Sequence, residues 1–329
     1  MRLAALFTLL MAFASHGAIA SDDSSANSDS SELVQFVEQV QEAARSLDYA
    51  GVFTYQQGAM IVASRVIHIV DATGERERIE ALDGEPREYI RHNDSIKRII
   101  PKQKIVVKEP GTAYMFPFVV RGNFQNLHKY YRLNNSKQTI RVAGRDCDVY
   151  VLHPIDPKRY GHVLCIDTES KLLLSSKTIN DANEVIDQHI FVSIVLGKGA
   201  ADSQINPSWD TKNWKEIETH MGPTDLTSKG WRIPFPPGFE VIKQVSRPLR
   251  NEEMVKQLVL SDGIAALSVF IESFNSEIHS SQGQGGIHKG ALSVFRKRIA
   301  DYWVTVLGQV PAETVREVGD HIEYVPLVQ

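Results

Sequence analysis

From residue 50 to residue 196, apolar side chains recur at every second position in short runs broken by turn residues. That rhythm confines most of the region to antiparallel sheet. The runs 50–56, 60–70, 75–82, 87–91, 95–100 and 104–108 are parted by short breaks such as Gln57-Gly58 and Asp83-Gly84. Links this short favour pairing between sequence neighbours in a meander. The pattern resumes over 139–142, 146–153, 161–167, 172–179 and 185–196, and the last run is apolar and long enough for a central strand. Ahead of the strands, Leu33, Phe36, Val37, Val40, Ala44 and Leu47 recur at helical spacing after a capping Ser31, predicting one amphipathic helix over about 32–47. The first domain is thus read as one helix plus about ten strands within 32–200.

Between these runs, residues 109–127 (EPGTAYMFPFVVRGNFQNL) are rich in Pro and Gly, yet carry Tyr114, Met115, Phe116, Phe118 and Phe124. Apolar side chains on so long a loop need a core, a ligand or a partner. Residues 197–225 lose periodicity, and an interdomain linker is placed at 201–225. A second domain over 226–325 begins at the Pro-rich WRIPFPPGF. It continues with strands over 239–246, 254–260, 264–274, 290–298 and 302–307, a hairpin turn at Ser261-Asp262-Gly263 and a flexible loop at 282–286. Pro311 introduces a helix over about 312–322, with Val315, Val318 and Ile322 on its apolar face. The fold class is α+β, mostly antiparallel.

The N-terminus sets the compartment. Arg2, the apolar run 3–14 and Ala18-Ile19-Ala20 before Ser21 form a signal peptide over 1–20, with a polar flexible leader over 21–31. No later run reaches the roughly 18 apolar residues of a span. The mature chain is therefore expected outside the cytoplasm, where an even number of cysteines favours a disulfide. If 146–153 and 161–167 form a hairpin in which partner numbers sum to 312, Cys147 faces Cys165. A metal site from Cys147, His153, His162 and Cys165 is disfavoured, because zinc ligands come in close pairs.

Chemistry is otherwise hard to find. The chain lacks H-E-x-x-H, G-x-S-x-G, a P-loop, a Rossmann fingerprint and Cys-x-x-Cys, so it is read as a non-enzyme without cofactor or metal. A formal charge of −4 argues against a nucleic-acid binder. The aromatic residues say more. Phe53 and Tyr55 share a strand face, and the loop adds Tyr114, Phe116 and Phe118. Ordinary core packing explains any one of them. Together they outline a curved sheet enclosing an apolar cavity suited to acyl chains, and these five are the candidate lipid contacts.

At YAGVFTYQQG (49–58), LDGEPREYIR (82–91), Tyr130-Tyr131, VAGRDCDVYVLHPIDPKRYGH (142–162) and DTESKLLL (167–174), the chain resembles the RseB/MucB family. GFEVIKQVSRPL (238–249), the SDG turn and GQVPAETVREV (308–318) extend the likeness over nearly all of 32–325. The resemblance implies an N-terminal half-open antiparallel barrel of the LolA/LppX type with a helical lid, and a smaller C-terminal sheet with a helix. It also implies a periplasmic negative regulator of the sigma-E stress response. Such a protein binds the periplasmic segment of a membrane-spanning anti-sigma factor of the RseA/MucA type, shields it from site-1 proteolysis, and is released by lipopolysaccharide or another acyl ligand. Relatives are expected to carry an aromatic where Cys165 stands, so the disulfide is read from this chain alone. Trp231, Phe235, Phe239 and Arg247 are the candidate partner contacts, from the enrichment of aromatics and Arg at interfaces. A LolA-type lipid or lipoprotein carrier is the rival reading, although a pure carrier has no need of 226–329. Homo-oligomerisation stays open.

Overall fold

The computed structural model describes residues 23–111, 116–117, 120, 122–197, 205–248 and 254–326. The expected signal peptide, Tyr114 and Phe118 lie outside the described residues. Helix α1 (Asp23–Ser46) starts well before residue 32, so the segment expected as a flexible leader is helical from Asp23 onward. Nucleation is the costly step of helix formation. Once the stripe of Leu33, Val37, Val40 and Ala44 is buried, each added polar residue costs only its own modest propensity.

The first sheet contains β1 (Tyr49–Gln57), β2 (Met60–Asp71), β3 (Gly74–Ala81), β4 (Glu88–His92), β5 (Ser95–Ile100), β6 (Ile105–Pro110), β7 (Tyr131–Val142), β8 (Arg145–Pro154), β9 (Gly161–Asp167), β10 (Leu173–Ile179), β11 (Val185–Leu196) and β12 (Lys215–Glu218). Their order is β12-β6-β5-β4-β3-β2-β1-β11-β10-β9-β8-β7. Two meanders therefore join through β1 and β11, and among the described residues the edges β12 and β7 do not close on one another. The result is a half-open antiparallel barrel whose interior packs on α1. Strand β7 begins eight residues before the expected 139, because an exposed edge strand (Arg132, Asn134, Lys137) shows little apolar alternation. Strand β12 comes from the expected linker and pairs with β6 in parallel, while Ile205 packs on Ile67 and Ile69.

The second sheet contains β13 (Gly222–Pro223), β15 (Glu240–Pro248), β16 (Met254–Ser261), β17 (Ala266–Ser273), β18 (Gly285–Lys289), β19 (Leu292–Ile299) and β20 (Tyr302–Gly308), in the order β13-β15-β16-β17-β20-β19-β18. A short helix α2 (Ser276–His279) follows β17. Helix α3 (Ala312–Asp320) packs on β19 and β20, and the small ribbon of β14 (Trp231–Arg232) and β21 (Glu323–Tyr324) closes the core. Strand β18 lies partly where a flexible loop was expected at 282–286. Its glycines lower strand propensity, and pairing with β19 overrides it.

Candidate functional site: the barrel interior and the interdomain crevice

Alternate residues of β1 make a column along the concave face. Phe53 sits opposite Phe191, and Tyr55 opposite His189. From the loop, Phe116 inserts among them. Its ring lies 5.4 Å from Phe53, 5.0 Å from Phe191 and 5.4 Å from His189, stacked on the imidazole at 10°. Phe53, Phe116 and Phe191 are buried, and the three rings pack together where an acyl chain was expected. The sequence missed His189 and Phe191, although the same alternate-residue rule places both on this face. Burial among these rings pushes the His189 imidazole down to about 4.

At one end of the column, Tyr49 stacks on buried His68 at 4.8 Å. His68 Nδ1 lies 2.7 Å from the Leu47 carbonyl just beyond α1, and Nε2 lies 3.1 Å from Glu75 Oε1. Burial alone would raise the Glu75 carboxyl. Hydrogen bonds from His68 and from Arg91, at 2.6 Å, hold it near 2 instead. At the other end, Gln57 Nε2 donates to the Tyr55 hydroxyl and to the Lys289 carbonyl, both at 2.9 Å. The Tyr55 hydroxyl donates in turn to Asp187 at 3.3 Å. The column thus leaves the barrel and ends on the second domain.

A second joint is ionic. Arg159 and Asp262 are fully buried and meet at 2.6 Å. Arg159 Nη2 donates to the Pro237 carbonyl at 2.6 Å, and the guanidinium lies 4.6 Å over Tyr130 and 5.4 Å from the Phe239 ring centre. Asp262 also accepts from the Tyr131 hydroxyl and from the backbone N–H groups of Ile264 and Ala265. Every oxygen of this carboxylate has donors, which is what a buried charge requires. The tight contact of Gly238 with Tyr130 and of Gly263 with Asn123 leaves no room for a Cβ, and both glycines have positive φ. Beside this joint, a crevice of about 690 Å³ is lined by His153, Asp156, Tyr160, Asn180, His288 and Glu313, among others.

Of the four candidate partner residues, Trp231 and Phe239 belong to the buried core of the second domain. Trp231 is buried in the second core against Tyr302 and Tyr324. Phe239 is buried beside Arg159, Phe235 is exposed, and Arg247 lies 5.7 Å from the Phe270 ring centre. Cys147 and Cys165 are joined, with Cα atoms 5.4 Å apart. The hairpin register differs from the expected one: Cys147 faces Asp167 and Val149 faces Cys165, so partner numbers sum to 314 and the bridge is diagonal. The length of the connecting loop sets that register, and strand periodicity alone could not fix it.

Two family matches divide the chain. The MucB/RseB N-terminal domain matches residues 32–209, and the MucB/RseB C-terminal domain matches 225–323. The sigma-E factor regulatory protein RseB of Haemophilus influenzae is 25% identical over 294 residues, covering 88% of this chain and 90% of the relative. The sigma factor AlgU regulatory protein MucB of Pseudomonas aeruginosa is 27% identical over 289 residues, covering 84% and 86%. The solved MucA/MucB complex of Pseudomonas aeruginosa contains a chain that superposes with a TM-score of 0.69 at 25% identity, over 91% of this chain and 100% of that one.

Proposed function

Because the chain belongs to the MucB/RseB family in both of its halves, we propose that it is a periplasmic, non-enzymatic regulator of a sigma-E-type envelope stress response. It binds the periplasmic segment of a membrane-spanning anti-sigma factor and keeps the site-1 protease from it. Lipopolysaccharide or another acyl ligand in the barrel releases the segment. The MucA/MucB complex of the Pseudomonas relative supports the partner. The column from Phe53 through Tyr55 and Gln57 to Lys289 is the single observation that carries the coupling, since it joins the apolar interior to the second domain.

A ligand releases a partner only if it favours a state that binds the partner less well. An acyl chain in the interior takes the space of Phe116 and presses on Phe53, His189 and Tyr55. Movement of Tyr55 withdraws one of the two acceptors of the Gln57 amide, the other being the Lys289 carbonyl. The second domain then shifts on its Arg159–Asp262 joint, and the crevice changes shape. The partner segment lies in that crevice and over the second domain.

The test is a protection assay. The cognate periplasmic segment is exposed to its site-1 protease with the full chain present, then with purified lipopolysaccharide added. Expected are protection, and its loss on adding lipid. Cleavage at the unprotected rate in the presence of saturating chain contradicts the proposal. Replacing Phe53 by Ser should weaken acyl binding while leaving the Tyr55–Gln57–Lys289 contacts, and with them protection, in place.

A further inference from the structure

Strand β18 ends the seven-stranded sheet and, among the described residues, has a strand neighbour on one side only. All of its residues are exposed. It forms a hairpin with β19 through the two-residue turn Gly290-Ala291, with Lys289 opposite Leu292, Ile287 opposite Val294 and Gly285 opposite Arg296. In such a hairpin the residues flanking the turn exchange both hydrogen bonds, and bonded and unbonded pairs alternate from there. Lys289, Ile287 and Gly285 therefore bond inward to β19. The N–H and C=O groups of His288 and Gly286 point outward, along the open edge.

Folded proteins guard such edges with proline, bulges, inward-pointing charge or an edge lysine. β18 has no proline in GGIHK and an unbroken register with β19; its one guard is Lys289 beside the turn, and Gly285 and Gly286 leave the rest of its flank bare. One side of the strand is continuous with the interdomain crevice, since His288 lines it together with Glu313 from α3. On the other side, Ile287 is 59% exposed between two cations, Lys289 and Arg296, neither of which has an ion-pair partner among the described residues. The edge therefore presents backbone donors and acceptors with a cation–apolar–cation stripe beside them.

We propose that the open edge of β18 is a strand-addition site for an extended segment of the anti-sigma partner whose alternate residues run acidic, apolar, acidic; this rests on the regulatory reading above. The apolar residue packs on Ile287, the carboxylates face Lys289 and Arg296, and the intervening side chains enter the crevice. A second copy of this chain fits poorly. Antiparallel pairing of two β18 strands about Ile287 brings Lys289 of each copy to Gly285 of the other, beside that copy's Arg296, so like charges approach. The Gln57 bond to the Lys289 carbonyl places this edge at the end of the barrel column, where acyl occupancy can act on it.

The test is calorimetric titration of the full chain with the periplasmic segment of its cognate anti-sigma factor. Gly286→Pro removes an outward N–H while sparing the inward bonds, and should weaken binding about tenfold or more. Lys289→Glu with Arg296→Glu leaves the backbone intact and should weaken binding to a similar degree, with recovery when the acidic residues of the segment are changed to Lys. If Gly286→Pro unfolds the domain, as judged by circular dichroism, the charge-reversed variant decides alone. Wild-type affinity in the folded variants overturns the inference and leaves the regulatory reading standing. Absence of binding to the wild-type chain overturns that reading itself. Unchanged segment binding together with altered self-association in sedimentation assigns the edge to a second copy, and overturns the proposal.

Discussion

Gln57 and Lys289 lie in different domains, and the side-chain amide of the first donates to the backbone carbonyl of the second at 2.9 Å. The same nitrogen donates to the Tyr55 hydroxyl, so one side chain senses both the barrel interior and the edge of the second sheet. Replacing Gln57 with Leu removes both bonds. The expected cost to stability is only about 1–2 kcal/mol. The larger expected effect is on communication: partner affinity should lose most of its dependence on acyl ligand, as measured by titrating the partner with and without lipid. Full dependence in Gln57→Leu would assign the coupling to another contact.

Arg159 and Asp262 form a buried ion pair across the domain interface. Arg159→Met leaves a buried carboxylate without its cation, and should destabilise the protein by about 3–5 kcal/mol. Replacing both residues by apolar ones of similar volume should restore much of that loss. Urea unfolding of the two single variants and the double variant gives the coupling energy directly, and additive single effects would contradict a coupled pair.

The strands of the first sheet were legible because alternation survives wherever one face is buried, whereas the half-open barrel they form was implied by the family resemblance. The runs expected at 161–167 and 185–196 are strands with those bounds, and β11 is central as its apolar run implied. Alternation fades where both faces meet solvent, so the start of β7 and the whole of β18 were not visible. Part of the candidate site could be read in the same way. Phe53 and Tyr55 share their face because they are two residues apart, and Gln57 could have been added by the same step. Arg159 and Asp262 could not, since they are separated by 103 residues and meet only when the domains dock. Trp231 shows the converse. It looked like an interface aromatic and is a core residue, because composition cannot tell a ring that faces a partner from one that faces its own sheet.

Acid should weaken the fold through histidine. His189 and His162 both have imidazoles pushed by burial to about 4, below the usual 6.5. Between those values the unfolded chain binds protons that the folded chain refuses. Stability is therefore fully present above pH 6.5 and is lost as pH falls toward 4, by on the order of 1–3 kcal/mol for each group. Thermal unfolding from pH 7.5 to 4.5 measures the slope. His189→Phe should remove its share, and an unchanged slope would place the pH dependence elsewhere.

The bridge from Cys147 to Cys165 closes a loop with a sequence separation of 18. Restricting the unfolded chain over such a loop should contribute about 3 kcal/mol. A Cys147→Ser, Cys165→Ser double variant should unfold at lower denaturant, and a reductant should have little further effect on it. Two free thiols by titration of the unreduced, exported protein would contradict the pairing.

The most direct measurement is the affinity of the full chain for the cognate anti-sigma periplasmic segment across a series of lipopolysaccharide concentrations, with the reciprocal titration of lipid against segment. Linkage requires the two ligands to weaken each other by the same factor. Expected are a segment Kd that rises with lipid to a plateau and a lipid Kd raised by that same factor. A segment Kd unchanged at saturating lipid would contradict the coupling of the barrel interior to the partner site.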